Sequence, residues 1–152
     1  MVKYLLRRHE ETNELIFPDV NPAARNSYPL FATVQHLEIV KELLKQDEHC
    51  GMIYPGVVVT HWVLMWTAGN NKFEIFEFLL QTVQKDDGSV HYKFPGIDLG
   101  ANNNGLLNRL VSIEAVNKLK FLLRRNALGN FVLPGLEVPE RLVDSLDALG
   151  VL

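Results

Sequence analysis

The sequence predicts an all-α fold of stacked helix pairs, and three observations support this prediction. An apolar five-residue pattern recurs four times, as VKYLL at residues 2–6, VKELL at 40–44, FEFLL at 76–80 and LKFLL at 119–123. A second segment also recurs, because VNPAARNS at residues 20–27 matches IDLGANNN at residues 97–104. Each copy of the first pattern has the apolar spacing of an amphipathic helix. A repeat of about 38 residues lies in the range of roughly 20–50 that is typical of solenoids and propellers, and the helical spacing favours a solenoid.

The second helix of each unit is predicted from an apolar stripe. Leu37, Val40, Leu43 and Leu44 fall on one face of a helix, and equivalent faces occur at residues 73–80 and 116–123. A shorter helical segment precedes each stripe, at residues 28–34, 62–68 and about 105–111. We therefore expect each unit to contain a short first helix and a longer second helix. Long polar segments separate the units, and VHYKF at residues 90–94 is prone to form a strand.

These repeats divide the chain into units of a single domain, residues 1–152. The predicted boundaries are a partial unit at 1–16, three full units at 17–53, 54–94 and 95–133, and a C-terminal cap at 134–152. The cap is a helix in which Pro139 and Glu140 favour the start and Gly150 favours the end. A helix pair of this size cannot bury its apolar face alone, so neighbouring units are expected to supply the core.

Several segments resemble ankyrin repeats. HLEIVKELLK at residues 36–45 is similar to the second-helix consensus of that family, and DVNPAARNSYPL at residues 19–30 is similar to its finger and first-helix start. The tetrapeptide T-P-L-H is nowhere intact, and YPLF at residues 28–31 comes nearest to it. The resemblance implies an ankyrin-like helix-pair solenoid with long hairpin or finger loops between units. Helix-pair repeats of the longer HEAT type are the structural alternative.

The resemblance also implies a function, since ankyrin stacks bind proteins through the concave side formed by finger tips and first helices. Carried onto this chain, it nominates a set of partner-binding residues from three fingers and one insertion. They are Arg25, Asn26, Ser27, Thr60, His61, Trp62, Tyr92, Lys93, Asn102, Asn103 and Asn104. We expect a non-enzymatic protein–protein interaction module that uses no cofactor or metal and is monomeric unless truncated at its N-terminal end. The alternatives are an architectural fragment of a longer array and an enzyme built on a helical repeat scaffold.

Composition and charge argue against other partners. The net charge is −3, so no overall positive field attracts nucleic acid. The densest basic cluster, Arg124 and Arg125 with Lys118 and Lys120, is interpreted as a solvated helix face. The longest apolar run, at residues 52–68, is interrupted by Pro55, Gly56, Thr60 and His61, which argues against a membrane span. The single cysteine and the charged N-terminal segment predict an intracellular, cytoplasmic protein.

No residue pattern points to catalysis. The five histidines, His9, His36, His49, His61 and His91, contain no pair spaced to bind one metal ion on a helix. Cys50 is interpreted as a loop thiol, with a nucleophile the less favoured alternative, and the Asp86-Asp87-Gly88 segment as a turn. Trp62 and Trp66 lie four residues apart on one helix face. We expect Trp66 to pack in the core and leave Trp62 open between core packing and a partner contact.

Overall fold

The computed structural model describes residues 22–70 and 72–152, in which seven helices and one two-stranded sheet are present. The helices are α1 (Ala24–Thr33), α2 (Leu37–Leu43), α3 (His61–Gly69), α4 (Phe73–Leu79), α5 (Ala101–Ser112), α6 (Val116–Leu122) and α7 (Glu140–Ala148). The strands are β1 (Thr82–Gln84) and β2 (Val90–Tyr92), paired antiparallel. The mostly helical character predicted from the sequence is confirmed. The predicted partial unit at residues 1–16 and His9 lie outside the described residues.

The helices form three consecutive pairs, α1 with α2, α3 with α4, and α5 with α6, followed by α7. The first helix of each pair packs against the first helix of the neighbouring pair, since α3 contacts both α1 and α5. Helix α7 continues this layer by packing against α5. Second helices contact second helices, because α4 packs against α2 and α6. The apolar stripes of both layers lie in one buried cluster. Each pair therefore completes its core with residues of its neighbours.

The expected helix lengths are wrong. The second helices have seven residues each, whereas α3 has nine and α5 has twelve. The reason is that the last leucine of each stripe, at Leu44, Leu80 and Leu123, is the C-cap beyond the helix end. These leucines are buried all the same. The length of an apolar stripe in the sequence therefore overestimates the length of the helix, because a buried residue after the last helical turn continues the apolar pattern.

A Pro-Gly turn leads the chain out of each pair, and the sequence analysis did not identify it as a repeated feature. The turns are Tyr54-Pro55-Gly56, Phe94-Pro95-Gly96 and Leu133-Pro134-Gly135. Their glycines have φ of 83°, 91° and 71°, a conformation that glycine adopts without strain in such turns. The residue before each proline is buried. A Cβ on Gly96 would lie 2.9 Å from Val58 Cβ, so successive turns approach too closely for a side chain there.

A hairpin precedes each Pro-Gly turn, as the β-prone segment at residues 90–94 indicated for the second pair. In the first and third pairs it is short, with isolated bridges at Gln46↔Met52 and Arg125↔Phe131. Asp47 Oδ1 accepts from the backbone N–H groups of His49 and Gly51 inside the first of these loops. Asn126 Oδ1 plays the same part in the other. The second pair has the longer β1–β2 hairpin, whose tip is the predicted turn at Asp86-Asp87-Gly88.

The C-terminal cap matches its prediction. Helix α7 begins at Glu140 after Pro139, and Gly150 follows its end with φ of 66°. The Gly150 N–H bonds to the Asp147 carbonyl and the Val151 N–H bonds to the Leu146 carbonyl, which is the Schellman arrangement. Among the described residues, no helix is long and apolar enough to cross a membrane.

Candidate interaction surface

Two left-handed turns open the first and third helix pairs. Arg25, Asn26 and Ser27 have φ of 51°, 55° and 63° at the start of α1, and Asn102, Asn103 and Asn104 have φ of 51°, 56° and 61° at the start of α5. These are the two segments that match in the sequence, although Val20 and Asn21 of the first copy lie outside the described residues. Asparagine tolerates this conformation better than most residues, which accounts for the three asparagines of the second turn and for Asn26 in the first.

Ser27 does not face outward, contrary to its nomination as a partner contact. Its side chain is 0% exposed, and its Oγ accepts a hydrogen bond of 2.8 Å from the backbone N–H of Val58. The left-handed turn points the hydroxyl of Ser27 toward the segment that leads into α3. Ser27 therefore joins the first pair to the second instead of contacting a partner.

Thr60, His61 and Trp62 begin helix α3. Thr60 is the N-cap, and its Oγ1 accepts from the Val63 N–H at 3.4 Å. This N-cap places His61 at the first helical position, as the sequence indicated. Trp62 is 67% exposed, and its ring meets the His61 ring edge-on with centroids 6.1 Å apart. The tryptophan is therefore held at the surface beside the start of the helix.

Trp66 is not the core residue that the sequence analysis expected, because its side chain is 40% exposed. The buried face of α3 consists of Val63, Leu64, Thr67 and Ala68. That face is the apolar stripe at i, i+1, i+4 and i+5, which directs Trp62 and Trp66 away from it. Counting Val63 and Leu64 as the stripe would have placed both tryptophans at the surface from sequence alone.

A shallow groove brings several of the nominated residues together. Arg25, Asn26, Thr60 and Trp62 line it with Tyr28 and Phe31, and its volume is about 230 Å³. Tyr28 is largely exposed, and its ring lies 6.1 Å from the Phe31 ring. The sequence analysis missed Tyr28 and Phe31, which follow the left-handed turn on the outer side of α1. The groove is lined by three aromatic side chains together with a guanidinium, an amide and a hydroxyl.

The surface continues from this groove toward the C-terminus. The His61 ring lies so close to Gly105 that a Cβ on the glycine would be 3.1 Å from His61 Cε1, and Asn102 adjoins the same point. One nitrogen of that ring, Nδ1, is buried without a hydrogen-bond partner among the described residues. Beyond it, the Arg141 guanidinium donates to the Asn103 carbonyl at 3.1 Å and to Asn108 Oδ1 at 3.3 Å.

We name these residues the first-helix strip. Its members follow the starts of the first helices through all the pairs and on to α7, and all except Tyr28, Phe31 and Arg141 were nominated from the sequence. They are Arg25, Asn26, Tyr28, Phe31, Thr60, His61, Trp62, Asn102, Asn103 and Arg141. Asn104, which completes the left-handed turn, is half-buried and its N–H bonds back to the Gly100 carbonyl.

Tyr92 and Lys93 lie on the β1–β2 hairpin and make contacts within the chain. The Tyr92 hydroxyl donates to the Pro134 carbonyl at 2.7 Å. Burial, and to a smaller extent the Asp98 carboxylate, raises the pKa of Tyr92. The Lys93 carbonyl accepts from Gln46 Nε2 at 2.8 Å, and its ammonium lies 5.5 Å from the centre of the Phe94 ring. Both residues thus link successive hairpins and turns, and neither lines the groove of the strip.

Several of the side chains considered for chemistry lie on the exposed hairpins. Cys50 is an exposed thiol at a loop position with φ of 62°, and His49 is exposed beside it. Ser89 lies 2.9 Å from His91 Nε2, and the Asp87 carboxylate accepts from the same hydroxyl. The hydrogen bonds that Asp87 accepts from the Ser89 hydroxyl and from the Ser89 backbone N–H lower the pKa of Asp87. No group of three or more potential metal ligands occurs among the residues that the structure describes.

Comparison of the chain with protein-family models, with curated proteins and with solved structures found no match.

Proposed function

We propose that this chain is a non-enzymatic protein-interaction module, built as an ankyrin-like helix-pair solenoid, that binds a partner protein through the first-helix strip. The observation that carries the proposal is the groove between the first two helix pairs, where Trp62 is 67% exposed next to Arg25. Tryptophan and arginine are the residues most enriched among those that dominate binding energy at protein interfaces. A solenoid is supported by the layered packing, in which each helix contacts its counterpart in the neighbouring pair.

The position of the strip also supports recognition by a preformed surface. Its side chains lie on helices whose starts are fixed by hydrogen bonds, such as the Thr60 cap within α3 and the bond between Ser27 and Val58 across two pairs. Binding to a surface that is already ordered loses little conformational entropy. The groove is also smaller than the roughly 300–1,000 Å³ of pockets that enclose small ligands. Its size suits one or two side chains of a partner better than a cofactor.

Affinity capture from a native lysate tests the proposal with two matched variants. Trp62→Ala removes a tryptophan of the groove, and Trp66→Ala removes an exposed tryptophan of the same helix that does not line it. We expect a protein that the unaltered chain and Trp66→Ala retain and Trp62→Ala loses. Titration of that purified protein should then show binding at least about tenfold weaker for Trp62→Ala. Circular dichroism of each variant checks that the helices persist.

Two results would count against this function. One is capture of the same proteins by all three chains, which would place binding elsewhere on the surface. The other is no captured protein with a fully helical chain, which would favour an architectural fragment of a longer array.

A further inference from the structure

We infer that the first-helix strip recognises an acidic peptide segment that inserts one large apolar side chain into the groove, an inference that rests on the proposed function. The first observation is the distribution of charge between the two helix layers. Helices α1, α3 and α5 contain Arg25, His61 and Arg109 and no carboxylate. The second helices carry four carboxylates, all on α2 and α4, and three lysines. The carboxylates are Glu38, Glu42, Glu74 and Glu77, and the lysines are Lys41 on α2 and Lys118 and Lys120 on α6. The first helices of the three pairs therefore contain no acidic residue, although the chain has a net charge of −3.

Carboxylates adjoin this layer in the segment before α5 and on α7. Asp98, in the segment before α5, accepts a hydrogen bond from the Gly100 N–H at 2.9 Å and keeps its negative charge. The acidic residues of the last helix, Glu140, Asp144 and Asp147, lie beyond the third pair and limit the strip at that end. Arg141 lies where the strip meets α7. The strip therefore has a cation near each end and amides between them.

The groove supplies the second half of the recognition. Tyr28, Phe31 and Trp62 form its apolar lining, and Arg25 and Asn26 add charged and polar groups to that lining. An apolar side chain placed there removes aromatic surface from water, which is the main favourable term in association. A carboxylate next to that side chain in the partner would meet the Arg25 guanidinium, which can form two parallel hydrogen bonds to it. An acidic residue adjoining an apolar anchor satisfies both parts of the groove.

A single-stranded nucleic acid also has stacking bases and negative charge, but this surface suits it less well. Proteins that bind such strands line the backbone path with several cations, and binding depends on many phosphate contacts. Helices α1, α3 and α5 contain no lysine, and their two arginines belong to different pairs. The strip offers asparagine side chains in the intervening positions. A peptide with a few carboxylates fits that spacing of charge, whereas a phosphate at every nucleotide does not.

Selection from a random twelve-residue displayed peptide library tests the inference on the full chain. We expect the selected peptides to be enriched in Asp and Glu around one aromatic or large aliphatic residue. A selected peptide should bind at least about tenfold more weakly to Trp62→Ala and on the order of five- to tenfold more weakly to Arg25→Glu. Its affinity should fall as salt rises, because exposed charge pairs are screened. Matched controls are Trp66→Ala and Lys120→Glu, an exposed lysine on α6, and both should stay within about twofold.

The outcomes separate this inference from the proposed function. Peptides that need Trp62 but show no acidic enrichment would overturn the inference and leave the interaction module standing. Peptides that bind all variants equally, or no enrichment at all, would overturn both. Oligothymidylate that quenches Trp62 fluorescence while the peptides do not would assign the strip to nucleic acid and overturn both. Self-association that Trp62→Ala abolishes, measured by sedimentation, would assign the groove to a second copy of the chain and overturn the inference.

Discussion

Lys118 on α6 caps the end of α3, since its ammonium donates to the Thr67 carbonyl at 2.6 Å. The same group donates to the carbonyls of Ala68, at 2.9 Å, and Asn70. The Lys118 side chain is only 7% exposed, and its burial lowers the pKa of the ammonium. The prediction that Lys118 lies on a solvated basic face is wrong, because the third pair packs against the carbonyls at the end of α3 in the second pair. A cation at a helix C-terminus is favoured by the helix dipole and by those carbonyls.

Replacement of this cap should destabilise the fold. Lys118→Met keeps the length of the side chain but removes the ammonium that donates to the carbonyls of Thr67, Ala68 and Asn70, and we expect a loss of about 1–3 kcal/mol in the free energy of unfolding. The control is Lys120→Met on the exposed side of the same helix, which should change stability by less than about 0.5 kcal/mol. Urea denaturation followed by circular dichroism measures both. Equal stability of the two variants would show that the carbonyls are satisfied without Lys118.

Tyr92 should make stability depend on pH in the alkaline range. Its pKa is raised in the folded state, so between the unfolded value near 10 and the higher folded value the folded chain binds more protons. Stability from this group is therefore complete below about pH 10 and falls as pH rises above it. Tyr92→Phe should cost about 1 kcal/mol at neutral pH through loss of the hydrogen bond to Pro134.

Denaturation at a series of pH values from 8 to 11 compares the two proteins. The pKa of Lys118 is lowered by burial, so its contribution to stability changes with pH in the opposite direction from that of Tyr92. This contribution is the same in both proteins, so the difference between the two stability curves reports on Tyr92. A gap between the two curves that stays constant above pH 10 would contradict the role assigned to the Tyr92 hydroxyl.

Reverse substitutions at one corresponding position of the two short hairpins should change stability in opposite directions. Cys50 and Gly129 occupy corresponding positions, and both have positive φ, 62° and 81°. A residue with a Cβ is strained there, so Cys50→Gly should stabilise the chain and Gly129→Ala should destabilise it, each by about 1 kcal/mol. Thermal unfolding of the two single variants measures the pair. Shifts of the same sign would indicate that the loops are not equivalent.

The left-handed turn before α5 should discriminate between small residues. Asn103 has φ of 56°, so Asn103→Ala should cost about 1 kcal/mol, while Asn103→Gly should change stability far less. Its backbone carbonyl, and not its side chain, accepts from Arg141, so both variants retain that contact. Chemical denaturation gives the comparison. If alanine and glycine cost the same, the asparagine acts through its side chain and not through its backbone conformation.

A cavity between neighbouring helix pairs should strongly lower the free energy of unfolding. Leu43 is 1% exposed on α2, whose neighbour in the next pair is α4, and Leu43→Ala should cost about 2–5 kcal/mol. Leu128→Ala provides a matched control, because Leu128 is 85% exposed on the hairpin of the third pair. A loss well below 1 kcal/mol for Leu43→Ala would place this leucine outside the core between pairs.

The sequence by itself determined the helical class, the start and end of α7 and the correspondence of the two asparagine-containing segments. These features follow from local periodicity and from residues such as Pro139 and Gly150 whose backbone preferences act over one turn. The turn at Gly88 belongs to the same class, because a tight turn depends on neighbours in the chain.

Only the tertiary structure decided which polar groups are used inside the molecule and which are left at its surface. Ser27, Tyr92 and Lys118 bond to backbone groups 31, 42 and about 50 residues away, and no local pattern encodes such distances. The groove likewise joins Arg25 of one pair to Trp62 of the next. Side chains from separate pairs meet only when the pairs stack, so burial and the composition of the strip depend on packing between units and not on the sequence of either unit alone.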